Sequence, residues 1–186
     1  MSPVRRLVEQ AKALDQRVYQ AVADTSTPSL DEPLRRLSYA ANYSQLSFGA
    51  AAVLAAAGGV RGRRAAVSGV ASLTVTSATV NVVAKLLSRR RRPDRDDLGV
   101  VEARHVPMPS STSFPSGHSA AAFAFAAGVG HVWPVAALPL YGLAGTVAYS
   151  RVHTGVHYPG DVVAGSLIGV VMAVVTTRVL DHRFGW

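Results

Sequence analysis

The sequence predicts an all-α fold: an integral membrane helical bundle of about five transmembrane helices, preceded by an N-terminal amphipathic helix. Three observations point there. Hydrophobic residues make up 49% and charged residues only 16% of the 186 positions, which is apolar for a soluble chain of this length. Long apolar runs recur along the chain, bounded by clusters of arginine, proline and serine. Those runs are rich in Ala and Gly, which let helix backbones approach where lipid offers no hydrophobic drive for association.

The elements follow in order. Val4, Leu7, Val8, Ala11, Leu14, Val18 and Val22 recur at near-helical spacing among charged residues, which predicts an amphipathic helix on the membrane surface. No long apolar core or small-residue cleavage site accompanies Arg5, Arg6, Lys12 and Arg17, so this stretch does not read as a secretory signal. A break at residues 25–32 precedes a second short helix over 34–43. The first span is expected over 46–60, stopped by Arg61, Arg63 and Arg64, and the second over 65–87. Residues 88–114, dense in Arg, Asp, Pro and Ser, are too polar to cross lipid. Three more spans are expected over 119–132, 134–149 and 162–180. The whole chain, 1–186, then reads as one membrane-embedded domain, with an amphipathic region 1–43 and a transmembrane core 44–186.

Composition also excludes several chemistries. There is no cysteine, hence no disulfide, thiolate zinc site or cysteine nucleophile. The net charge is +8, but the arginines sit at the ends of apolar runs instead of lining one polar face, so anionic lipid and phosphate are better partners than nucleic acid.

Up-and-down connectivity puts residues 85–114, His118 and residues 150–161 on one side of the membrane, because two helices separate each pair of loops. Three constellations meet there. Lys85 and Arg92, in K-x6-R-P, place two cations about two helical turns apart, able to clamp an anion. Pro115, Ser116, Gly117 and His118 open an apolar helix, where free N–H groups and a hydroxyl can cradle phosphate oxygens and an imidazolium can donate a proton. In Ser150, Arg151, His157 and Asp161, S-R-x5-H-x3-D, Arg151 can add a bidentate cation. Asp161 can hold one nitrogen of His157 and free the other for attack. Each motif alone also has a plainer reading: a cationic membrane flank, a Ser N-cap beside an incidental His, and an Asp that merely caps the last helix. The i, i+4 pair His153 and His157 lacks the acidic partner of a metallohydrolase, and Asp94, Asp96 and Asp97 read as a solvated charge run. His105, His131 and His182 have no recognisable partner, while Tyr149, Tyr158, Trp133 and Trp186 fit an aromatic belt.

Taken together and in this order, Lys85–Pro93, Pro115–His118 and Ser150–Asp161 resemble the three signature motifs of the type 2 phosphatidic acid phosphatase (PAP2) superfamily, without a departure, over the second half of the chain. The resemblance implies a membrane lipid phosphatase working through a phosphohistidine intermediate. Lys85, Arg92, Ser116, Gly117 and Arg151 would bind the phosphate, His157 would attack phosphorus, His118 would protonate the leaving oxygen and Asp161 would hold His157. It implies neither metal nor cofactor. Six spans are typical of the family; an amphipathic first helix leaves five here.

The implied partners are a lipid-linked phosphate and the surrounding lipids, and the small-residue faces would permit a homo-oligomer. Of the 19 Lys and Arg residues, 14 lie on the motif side if the N-terminal region is there too, and five on the other. That bias predicts a multi-pass cell-membrane protein whose site faces the cytoplasm. A polyprenyl-phosphoryl sugar phosphate of the decaprenylphosphoryl-5-phosphoribose type is then favoured over an outward-facing polyprenyl diphosphate. Phosphatidate or phosphatidylglycerophosphate is the alternative substrate, and vanadate-dependent haloperoxidase chemistry a remote one.

Overall fold

The protein is described by a computed structural model covering residues 2–185, apart from the side chains of residues 83–85. Lys85 as a phosphate ligand and Trp186 as a belt residue therefore lie outside the described residues. Among the described residues the regular elements are all helical: α1 (Pro3–Asp24), α2 (Pro28–Ala40), α3 (Gln45–Ala57), α4 (Gly59–Thr79), α5 (Lys85–Leu87), α6 (Gly117–Val132), α7 (Pro134–His153) and α8 (Pro159–Phe184). A π-helical turn, Val80–Ala84, joins α4 to α5.

Helix α6 is the centre of the bundle, packed against α4, α7 and α8, with α3 laid on α4. Its sequence explains this. Gly128 meets the backbone of Ser68, and Gly69 meets the Phe125 and Val129 side chains, so any Cβ on either glycine would clash. Ala51, Ala65, Ala66, Leu73, Ala121, Phe125, Val129 and Ala137 fill the space between. Helix α8 comes equally close: a Cβ on Gly165 would lie 2.4 Å from the Ser116 carbonyl oxygen, and one on Gly169 2.3 Å from that of Ala120. Overpacking of this kind costs about 1–3 kcal/mol. Gly165→Ala is therefore expected to lower the melting temperature in detergent by roughly 2–12 °C, at about 2–4 °C per kcal/mol for a chain of this size. Val163→Ala, on the outward face, should leave it nearly unchanged; equal melting of the two variants would disprove the close packing.

The surface is inverted relative to a water-soluble protein. Leu167, Val171, Val175 and Val179 of α8 point outward, as do Val67 and Val75 of α4, while Ser68, Ser72, Thr76, Ser119 and Thr177 are inside. Ser68 donates to the Gly128 carbonyl at 2.7 Å. An apolar exterior over a core of small polar residues fits immersion in a bilayer. Two helical segments, Gly59–Val82 and Pro159–Phe184, are long and apolar enough to cross one.

Several boundaries differ from expectation. Arg61, Arg63 and Arg64 do not end a span; they form the first turns of α4, because the chain breaks earlier, at Gly58 and the left-handed Gly59 (φ +59°). Arg61 then donates to the Val132 carbonyl and lies over the Trp133 ring. Helix α2 begins at Pro28, where proline's fixed φ suits a first helical position, and ends before the expected Tyr43. Helix α7 continues through His153, so Ser150 and Arg151 are helical. His131 has a partner after all, Asp181 at 3.0 Å, tying the far ends of α6 and α8.

Helix α1 packs on the bundle by a narrow stripe, Asp15, Tyr19 and Ala23, while its apolar residues Val4, Leu7, Val8, Leu14 and Val18 face outward. Helix α2 is held by a buried cluster. Arg104 donates to Asp31 at 2.8 Å and to the Thr25 carbonyl at 2.6 Å, and His153 lies 3.1 Å from Asp31. The two N-terminal helices thus cover the end of the bundle that carries the motifs.

Candidate active site

The turn after α7 places His157. Gly155 adopts φ +71°, which an L side chain resists, and a Cβ there would strike Arg95 and the Tyr19 hydroxyl. The turn folds back so that the Val156 and His157 N–H groups both donate to the Arg151 carbonyl. Pro159 then starts α8, with Asp161 in its first turn.

His157 is 2% exposed. Its Nε2 lies 3.2 Å from Arg92 Nη1, and its Nδ1 stands 3.5 Å from Asp161 Oδ2. That gap is longer than a good hydrogen bond, and Nδ1 makes no other bond. The arrangement suits a neutral imidazole with its Nδ1–H toward Asp161 and its Nε2 lone pair toward Arg92. Burial, helped by Arg92 and Arg151, depresses the His157 pKa to about 4, against the Asp161 contact, which raises it. Because this lies below the ordinary value of about 6.5, the unfolded chain binds the extra proton first, and stability is lost as pH falls from about 6.5 to about 4. In protein with ¹⁵N-labelled histidine, the signal missing from His157→Ala should keep neutral-imidazole shifts down to about pH 5. A midpoint near 6.5 would contradict the burial argument.

Asp161 caps α8, and the same side chain also faces His157 Nδ1 across 3.5 Å. Its Oδ2 accepts the Tyr158 N–H at 2.9 Å, capping α8, and also accepts the Ser113 hydroxyl. Its Oδ1 accepts Arg90 Nη1 at 2.9 Å. Arg92 is held as firmly, donating to the carbonyls of Ser111 (2.9 Å), Thr112 (3.3 Å) and Val156 (2.7 Å). Ser116 caps α6, and its own N–H donates to the Asp161 carbonyl at 2.9 Å. One residue of each motif, Arg92, Ser116 and Asp161, is thereby linked to the segment that carries His157.

His118, Gly117 and Arg151 line a neighbouring cavity of about 640 Å³, together with Asn42, Asn81, Phe48 and Leu73. His118 Nε2 is 3.0 Å from Asn42 Oδ1. Arg151 is buried, donates to the Ser38 hydroxyl at 2.6 Å, and leaves its Nε without a partner. His153 turns toward Thr27 and Asp31, away from His157, so the i, i+4 histidines share no ligand. Asp94 accepts from the N–H groups of Asp96 and Asp97, a self-contained turn.

Ser38, Asn42, Ser111, Ser113 and Arg90 were not anticipated. Asn42 follows a helix end with no periodicity to flag it, and Arg90 is hidden in the run Arg89–Arg92. Asp15 carried a signal: with Tyr19 and Ala23, at four-residue spacing, it forms a three-residue stripe along α1.

Residues 65–184 match the family model of the PAP2 superfamily. The chain belongs to the PAP2 superfamily. Among curated proteins it is similar to the decaprenylphosphoryl-5-phosphoribose phosphatase of Mycobacterium tuberculosis, 35% identical over 108 residues, which cover 56% of this chain and 55% of that one. The chain thus matches over about half the length of such relatives. Two solved structures share the PAP2 fold at 22% identity. One is LpxE of Aquifex aeolicus, with a TM-score of 0.68 over 89% of this chain and 95% of that one. The other is a transmembrane PAP2 type phosphatidylglycerolphosphate phosphatase from Bacillus subtilis, with a TM-score of 0.69 over 94% and 89%.

Proposed function

We propose that this PAP2 protein is a metal-independent membrane phosphatase acting on a lipid-linked phosphate, with a polyprenyl-phosphoryl sugar phosphate as the favoured substrate. The observation that carries the reading is a buried histidine held between a carboxylate 3.5 Å from Nδ1 and a guanidinium 3.2 Å from Nε2. This supports a neutral nucleophile beside its orienting carboxylate, with Arg92 a cation that takes up the phosphate oxygens as it releases the Nε2 lone pair.

In the proposed reaction Arg92, Arg151, Lys85 and the Ser116–Gly117 backbone bind the phosphate. The His157 Nε2 lone pair attacks phosphorus, the bond to the leaving oxygen breaks, and His118 supplies that oxygen's proton. Asp161 stabilises the positive ring that results. Water, giving its proton back to His118, then attacks the phosphohistidine, and inorganic phosphate leaves with His157 neutral again. The cavity beside His118 supports the substrate class, since Asn42 and Asn81 suit hydroxyl groups while Phe48 and Leu73 suit an isoprenoid chain. Helices α3, α4, α6, α7 and α8 would supply five spans, with α1 on the surface, its apolar stripe in the lipid. The arginine bias favours a site facing the cytoplasm.

The test is phosphate release by detergent-purified protein with EDTA present. The panel comprises a polyprenyl-phosphoryl pentose phosphate, a polyprenyl diphosphate, phosphatidate and phosphatidylglycerophosphate. The pentose phosphate is expected to give the highest kcat/KM. No release from any substrate without added metal would refute the mechanism, and preference for a glycerolipid would refute the substrate assignment alone.

A further inference from the structure

One acidic side chain outside the three motifs reaches the catalytic histidine through a chain of contacts. Asp15 belongs to α1, a helix otherwise exposed on most of its surface, yet it is 9% exposed. Its Oδ1 accepts the Gly160 N–H at 2.6 Å, in the first turn of α8, and its Oδ2 accepts Arg90 Nη2. Arg90 uses its other nitrogen, Nη1, for Asp161 Oδ1, and its guanidinium lies 4.4 Å from the Tyr158 ring centroid. The one guanidinium thus spans two buried carboxylates, and the second of them faces His157 Nδ1.

This geometry matters because Asp161 Oδ2 is the oxygen shared among Tyr158, Ser113 and His157. A carboxylate can rotate about its Cβ–Cγ bond and present either oxygen. Arg90, pinned on its far side by Asp15, holds Oδ1 and so restrains the rotation that sets the angle at which Oδ2 faces the imidazole. The rigid planar guanidinium, with one nitrogen on each carboxylate, supplies this constraint. Helix α1 makes a second attachment to the same segment, the Tyr19 hydroxyl donating to the Gly155 carbonyl at 3.3 Å, which bypasses the ion chain.

We propose that Asp15 and Arg90 are positioning residues for the reaction, acting through Asp161 to aim His157, so that the N-terminal helix completes the active site. The inference rests on the phosphatase reading above. Removing a partner that orients a catalytic ligand typically costs about 10–100-fold. Asp15→Asn and Arg90→Gln are each expected to lower kcat by about that factor with KM within about twofold, because neither residue lines the cavity beside His118. Residues that act as a unit are not additive. The double variant should therefore be no slower than the slower single one.

Tyr19→Phe separates this role from mere anchoring, since it loosens α1 without touching the ion chain; its kcat should stay within about twofold of wild type. Wild type and His157→Ala are assayed alongside. Loss of the inference alone would be read from active wild type with unchanged kcat in Asp15→Asn, from additive losses in the double variant, or from Tyr19→Phe slowing as much as Asp15→Asn. Inactive wild type would instead sink the phosphatase reading. If Asp15→Asn fails to fold in detergent, Arg90→Gln decides by itself: kcat reduced at constant KM supports the inference, and unchanged kcat or raised KM overturns it.

Discussion

His157→Ala is expected to reduce phosphate release by roughly 10⁵-fold or more, the scale on which loss of a covalent nucleophile acts. No neighbouring side chain can substitute. His153, four residues away at the end of α7, is committed to Thr27 and Asp31, and His118 lines the adjacent cavity beside Asn42. The loss should fall on kcat, since the cations that bind the phosphate remain, and a tightly bound but unreacted substrate is the expected state of the variant. A phosphoenzyme trapped by alkaline detergent quench from ³²P-labelled substrate, stable to base and labile to acid, should form in wild type and be missing in His157→Ala. If the variant still yields the labelled species, the nucleophile is another residue.

Asp161→Asn is expected to cost about 10⁴-fold in kcat, the penalty general for a carboxylate–histidine pair reduced to an amide. The local structure says why. The amide keeps one oxygen, which the Tyr158 N–H and the Ser113 hydroxyl can claim to preserve the cap of α8. Its NH2 group would then face Arg90, a donor against a donor, so the ion contact that holds the side chain is lost, and the retained oxygen, now uncharged, is a weaker partner for the His157 Nδ1–H. The ring is free to take the wrong tautomer, and the positive phosphohistidine loses its counter-charge. Helical content and substrate affinity are expected to persist. Near wild-type kcat in Asp161→Asn would reduce this residue to a helix cap.

Both variants act on geometry that the sequence displays only in part. The apolar runs, their small residues and the polar residues at one set of helix ends were legible, because helical periodicity and the demands of lipid leave direct marks on composition. Proximity of the motifs was expected from counting helices: Arg92 and Asp161 lie against His157, and Ser116 bonds to the Asp161 carbonyl. Helix boundaries were less legible. Arg61 to Arg64 look like a stop signal, but a left-handed glycine before them starts the next helix early. Asp161 takes the plainer expected role, since it caps α8, and the same oxygen also faces His157 across 3.5 Å.

By itself the sequence determined the helical class, the family and the residue types gathered at the site, since these follow from local patterns of hydropathy and spacing. The tertiary structure alone decided that His157 is almost fully buried against Arg92, that Arg90 rather than a neighbouring arginine reaches Asp161, and that α1 turns Asp15 inward and its apolar stripe out. Four adjacent arginines are identical in composition; only the path of the chain through residues 88–116 gives Arg90 and Arg92 different partners. Burial and pairing arise from segments far apart in the chain, and no local pattern encodes them.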